Sequence, residues 1–177
     1  MLLATTNSGI FKLLLLLHIL TAIAGFGVLV MGGLFGVESK KRKGPEGLAV
    51  FDAFEHVAVT YSERIVYTVP VWGILLVLAS DKAFKFSQTW VWLSLLLYIC
   101  AIGFSHAVHL PNLKRMRALM AELVAMGAPP AGAAPSGPPP QVAELERRGK
   151  QAGINGSVLN LALVVIVALM IWKPGLA

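Results

Sequence analysis

Charge is scarce in this chain: only 14% of its 177 residues are Asp, Glu, Lys or Arg, against 56% hydrophobic residues. Its mean hydropathy is +0.74. Soluble domains carry about 25% charged residues, so a soluble globular class is excluded and a membrane class indicated. Cysteine occurs once, at Cys100, which excludes an internal disulfide framework and a multi-cysteine zinc site. A Walker loop, a dinucleotide fingerprint, an HExxH zinc helix and a nucleophile elbow are all missing. No soluble stretch is large enough to form a catalytic domain, so an enzyme is not indicated. A formal charge of +6 would point to nucleic acid in a soluble protein. Here basic residues gathered on one side of a bilayer explain it, and no nucleic-acid partner is expected.

What the chain does have is long apolar runs. Crossing a hydrocarbon core of about 30 Å takes about 20 mainly apolar residues in a helix. Four stretches qualify, at 11–37, 57–79, 89–110 and 152–172. The expected fold is all-α, a single membrane bundle of four transmembrane helices with both termini on one side. Lys40 to Lys43, Lys114, Arg115, Arg117, Arg147, Arg148 and Lys150 share the loops of one side. Lys12, Lys82, Lys85 and Lys173 are the only basic residues on the other, with Arg64 near the inner end of the second span. The positive-inside rule then puts the basic loops in the cytoplasm and both termini outside, as for a bacterial inner-membrane protein. Lys12, the leucine run and Ala22-Ile23-Ala24 loosely imitate a cleaved signal peptide. The apolar run continues well past Ala24, however, and cleavage would leave the SKKRKG loop outside, so a first span is expected.

Two further segments are expected on the basic side. PEGLAVFDAFEHVAVTYSER starts the second helix early, with Pro45 in its first turn and Asp52, His56 and Glu63 on one stripe. After Pro111 the chain is expected to turn into a basic amphipathic helix lying along the cytoplasmic membrane surface, with Leu113, Met116, Met120, Leu123 and Val124 at helical spacing. Gly127 ends it. Residues 127–140, GAPPAGAAPSGPPP, are nearly all Pro, Gly, Ala and Ser and read as a flexible linker.

Candidate chemistry sits on the four histidines and one carboxylate. His18 lies about 10 Å below the outer surface at 1.5 Å per residue. A polar group at that depth faces the bundle interior and needs a partner, for which Ser94, Tyr98 and Asn160 are candidates. His56, His106 and His109 collect near the inner interface. His56 with His106 or His109 could hold a haem b at matched depth. Alternatively, His56, His106 and His109 with Glu63 or Asp52 could bind a transition metal, with Met116 and Met120 adding soft sulfur. The helix dipole and interfacial water account for His106 and His109 without a ligand, so both readings stay open. Glu63, Tyr67 and Thr60, spaced three and four apart, outline a path for a proton or a substrate. Pro70 is expected to kink the second helix. Gly25, Gly32, Gly33 and Gly36 let the first helix pack closely, so besides lipid a protein partner or self-association through the membrane helices is expected. Trp90, Trp92 and Trp172 read as an outer aromatic belt, and Cys100 as an inert packing residue.

Taken together, LLLLLHILTAIAGFGVLVMGG, ERIVYTVPVWGILLV and LMIWKP resemble the bacterial integral membrane family called domain of unknown function 2269. That family is distantly similar to copper resistance protein D. The resemblance implies an integral membrane protein and favours a ligand role for His18, through its likeness to four-helix proteins with a first-helix histidine and haem. It lends no role to His56, His106 or His109. The functional expectation is a non-enzymatic accessory or scaffold component of a membrane assembly. The alternatives are a haem b or copper protein using His18 and the inner histidines, and a small proton-coupled transporter using Glu63.

Overall fold

The computed structural model describes residues 6, 8–42, 44–127 and 137–175. Every regular element among them is helical: α1 (Gly9–Val30), α2 (Gly32–Lys41), α3 (Pro45–Val57), α4 (Glu63–Leu78), α5 (Thr89–Phe104), α6 (Leu110–Met126) and α7 (Pro140–Trp172). Six of these join end to end. α1 and α2 meet at Met31, α3 and α4 meet through a π-helical turn at Ala58–Ser62, and α5 and α6 through another at Ser105–His109. The result is four rods of 33, 34, 38 and 33 residues, each apolar and long enough to cross a membrane. At 1.5 Å per residue they measure roughly 50–57 Å, about 20 Å more than the hydrocarbon core requires. The surplus is charged and lies on the basic side. It comprises the end of the first rod, the start of the second, the end of the third and the start of the fourth.

One expectation is not confirmed here. Pro111 was expected to turn the chain into a separate surface helix, yet the third rod runs unbroken from Thr89 to Met126. A proline inside a helix lacks the N–H for its i−4 carbonyl and crowds it. The wider π turn directly before Pro111 relieves that conflict. α6 instead packs along the start of α7. It ends at Met126, followed by Gly127 with a φ of 68°, a conformation suited to glycine. The expected linker falls mostly on residues 128–136, outside the described residues.

The rods form two antiparallel hairpins, the first with the second and the third with the fourth. The first hairpin closes along a seam of every seventh residue: Phe11, His18, Gly25, Gly32 and Ser39. Four of the five layers set a glycine against the neighbouring rod. Gly25 abuts Val66, Gly73 makes room for His18, Gly32 abuts the Phe54 ring, and Gly47 approaches Ser39. Phe11 packs on Leu76 at the far end. In the second hairpin, Trp90 and Val91 cluster with Leu169, and Val77 of the first hairpin joins them.

Polar bonds stitch the charged ends together. Ser39 Oγ donates to the Gly47 carbonyl at 2.7 Å. Arg117 makes a two-pronged bond to Asp52 at 2.8 and 3.1 Å, linking α6 to α3. Buried Asn112 donates to the Arg148 carbonyl at 3.0 Å and accepts from the Arg148 guanidinium at 3.2 Å. Hydrogen bonds from Arg147, and then from Arg148, hold the Glu144 carboxyl down at about 2, so Glu144 stays ionised in mild acid.

Candidate functional site

His18 is the one histidine buried inside the bundle. Its position on the seam puts it there: seven residues from Phe11 and seven from Gly25, it shares their inward face. Its Nδ1 lies 3.0 Å from the Val69 carbonyl. A carbonyl only accepts, so Nδ1 carries the proton and, in the neutral ring, Nε2 holds the lone pair. None of the expected partners serves. Ser94 Oγ is buried without any partner, Asn160 makes no bond to the ring, and Tyr98 bonds elsewhere.

Pro70 explains where Tyr98 goes. Lacking an N–H, Pro70 leaves the carbonyl four residues back without its helical donor. That carbonyl belongs to Val66, and Tyr98 Oη donates to it at 3.1 Å. The proline therefore creates the acceptor that ties the third rod to the second. Tyr98→Phe is expected to cost about 1 kcal/mol by orphaning that carbonyl. In a Pro70→Ala background, where the new N–H takes its place, the same change should cost almost nothing. A double-mutant cycle on unfolding in detergent measures the difference.

Between the two hairpins, at the end away from the basic loops, lies a cavity of about 250 Å³. Its walls are almost wholly apolar. The polar groups lining it are His18, Ser94, Tyr98, Trp90 and Lys173, with the Met170 thioether. Gly73 sets the space beside the imidazole, because a Cβ there would come within 3.3 Å of His18 Cε1. Trp90 departs from the expected lipid belt: it is buried edge-on against Phe84, while Trp92 and Trp172 remain exposed. Lys173 follows α7 in a left-handed conformation, and its ammonium lies 4.6 Å from the Phe84 ring centre and 5.7 Å from that of Trp90. Cys100, expected to pack inside, faces outward instead.

The remaining candidates assemble differently from the expected inner cluster. Glu63 and Tyr67, one turn apart on α4, meet His106 from the third rod. Tyr67 Oη donates to Glu63 Oε1 at 2.5 Å and lies 2.9 Å from His106 Nε2, which is 2.7 Å from the same carboxylate oxygen. His106 Nδ1 donates to the Ile102 carbonyl at 2.9 Å. The carboxylate, the phenol and the imidazole thus form one polar cluster that joins α4 to the third rod. His56 lies apart, exposed, with Nδ1 3.4 Å from Thr60 Oγ1 and its ring against Tyr61. His109 Nδ1 is buried without a partner. Asp52 is taken by Arg117. Among the described residues no three His, Cys, Asp or Glu side chains gather to hold a metal ion.

A family model described as "Predicted integral membrane protein (DUF2269)" matches residues 12–174. No curated protein and no solved structure matches the chain.

Proposed function

Because the chain belongs to the DUF2269 family of predicted integral membrane proteins, its working environment is a bilayer, and we propose that it is a non-enzymatic protein that binds a small, mainly apolar ligand in the outer half of its bundle. The observation that carries this reading is the cavity shared by His18 and Ser94. With Nδ1 committed to Val69, His18 offers the Nε2 lone pair. Ser94 adds a hydroxyl that no protein group satisfies, and a buried polar group without a partner is costly. Apolar walls with a few converging polar groups are the usual form of a small-molecule site. Basic loops in the cytoplasm of a bacterial inner membrane complete the proposal, resting on the charge distribution.

Copper is the second reading, favoured by one observation: metal-ligating imidazoles commonly donate their other ring N–H to a carbonyl, as His18 does. Met170 lines the same cavity, and a thioether with an imidazole suits copper(I). Haem b fits less well. The cavity is below the roughly 300–1,000 Å³ of sites for drug-sized ligands, and no second histidine lines it. Transport is not favoured, because Tyr67 and His106 sit on the outer face of the bundle rather than in a passage through it.

Binding of 4-fluorobenzyl alcohol, followed by 19F NMR in lipid nanodiscs against empty discs, tests the proposal. Wild type should give a saturable shift, and His18→Ala should weaken it roughly tenfold, equivalent to about 1.4 kcal/mol. Equal shifts in wild type, His18→Ala and empty discs would sink it. Stoichiometric copper in purified wild type that disappears in His18→Ala would establish the second reading.

A further inference from the structure

The cavity has one fixed charge, and it lies at the rim. Apart from His18, Lys173 is the only ionisable cation lining the cavity among the described residues, and no carboxylate among them lines it. Lysines at a membrane edge normally extend toward headgroups and water. Lys173 does otherwise: after α7 ends, it takes a left-handed turn with a φ of 44° and ψ of 57°. Its ammonium rests over Phe84 and Trp90, both of them cavity walls. A left-handed conformation is unfavourable for a residue with a side chain. The ring contacts offset it, since a cation over an aromatic face is attracted by the ring quadrupole. Among the described residues, none of the ion pairs includes Lys173. Aromatic faces supply attraction but no oxygen acceptor, so among the described residues its three N–H donors have no anionic partner.

Building on the binding proposal, we infer that the ligand is an apolar acid: a small hydrocarbon or aromatic body carrying one carboxylate. The body occupies the space beside His18 and Ser94, and the carboxylate lies at the rim on Lys173. A half-exposed ammonium beside apolar walls favours a ligand that brings the opposite charge to the rim, since the pair is screened less there than in open water. The same placement repels an amine of equal size. Selectivity by charge at constant shape is therefore the signature of the site.

Three probes of matched size test this in nanodiscs by 19F NMR: 4-fluorobenzoate, 4-fluorobenzyl alcohol and 4-fluorobenzylamine. Wild type should bind the acid at least tenfold more tightly than the alcohol, and the amine least. Lys173→Gln should remove the advantage of the acid, with an unchanged melting midpoint in detergent to show that the variant is folded. Lys173→Arg, which keeps the charge, should retain most of the preference. The inference is overturned if acid and alcohol bind alike, or if Lys173→Gln leaves the preference intact. In either case the binding proposal itself survives through the alcohol. If no probe binds saturably, the site and the inference fall together.

Discussion

Gly25→Val is expected to remove most of the folded protein. A Cβ at position 25 would sit 2.8 Å from Val66 Cγ2, 3.1 Å from the Val66 nitrogen and 3.3 Å from its Cα. The side-chain atom can rotate away; the two backbone atoms move only if α4 moves. Val66 is 1% exposed and closely packed against α1, so there is little free volume to receive valine's methyls. Overpacking costs typically 1–3 kcal/mol, and more where the backbone must shift. That is a large share of a domain stability of about 5–15 kcal/mol. The loss should appear as a sharply lowered thermal midpoint in detergent and a poor yield of monodisperse protein. Gly33→Ala and Gly36→Ala are the controls. Both positions open onto empty space, and alanine there should be neutral or stabilising by up to about 1 kcal/mol. A Gly25→Val protein melting with wild type would mean that α1 and α4 do not meet at this layer.

Gly47→Ala should be as damaging, at the opposite end of the bundle. A Cβ there would lie 1.8 Å from the Arg42 carbonyl oxygen and 2.6 Å from that of Ser39. Both are backbone atoms, so even one methyl forces the connection between α2 and α3 to open. Opening it also breaks the 2.7 Å bond from Ser39 Oγ to the Gly47 carbonyl. Ser39→Ala alone removes that bond without the clash and should cost about 1 kcal/mol. Trypsin is a direct reporter, because Lys40, Lys41 and Arg42 lie in the affected stretch. Cleavage there should speed up strongly in Gly47→Ala and only slightly in Ser39→Ala. Equal resistance of Gly47→Ala and wild type would contradict the close approach.

The four spans were legible because length and hydropathy suffice to identify them. Their full extent was not, since charged helical surplus looks like loop when only apolar runs are counted. The burial of His18 could be read from its depth, but its partner could not. A backbone carbonyl such as that of Val69 has no letter of its own. Tyr98's partner was legible in principle, because Pro70 always leaves the carbonyl of residue 66 short of a donor. Trp90 also had a signal: two residues from Trp92 on a helix, it points to nearly the opposite side, so both could not face lipid. The stripe of Asp52, His56 and Glu63 failed for a geometric reason. The π turn at Ala58–Ser62 lies between them and rotates Glu63 away from the other two. Asp52 then meets Arg117, His56 stays near Thr60, and Glu63 finds His106. The pairing of Tyr67 with His106 spans 39 residues, and only tertiary packing brings them together.

The two π turns have a consequence for how the bundle is divided. Each holds about one residue more than an α-helical path between the same points would need, and they lie near each other, as the contact of Glu63 with His106 shows. Below them the second and third rods keep one angular phase, matched to charged partners such as Asp52 and Arg117. Above them they keep another, matched to the cavity walls. The face that brings Asp52 to Arg117 is therefore set in a different phase from the one that brings Val69 to His18 and Tyr98 to Val66. The membrane half and the polar half thus pack through different faces of the same two rods, though no loop divides them.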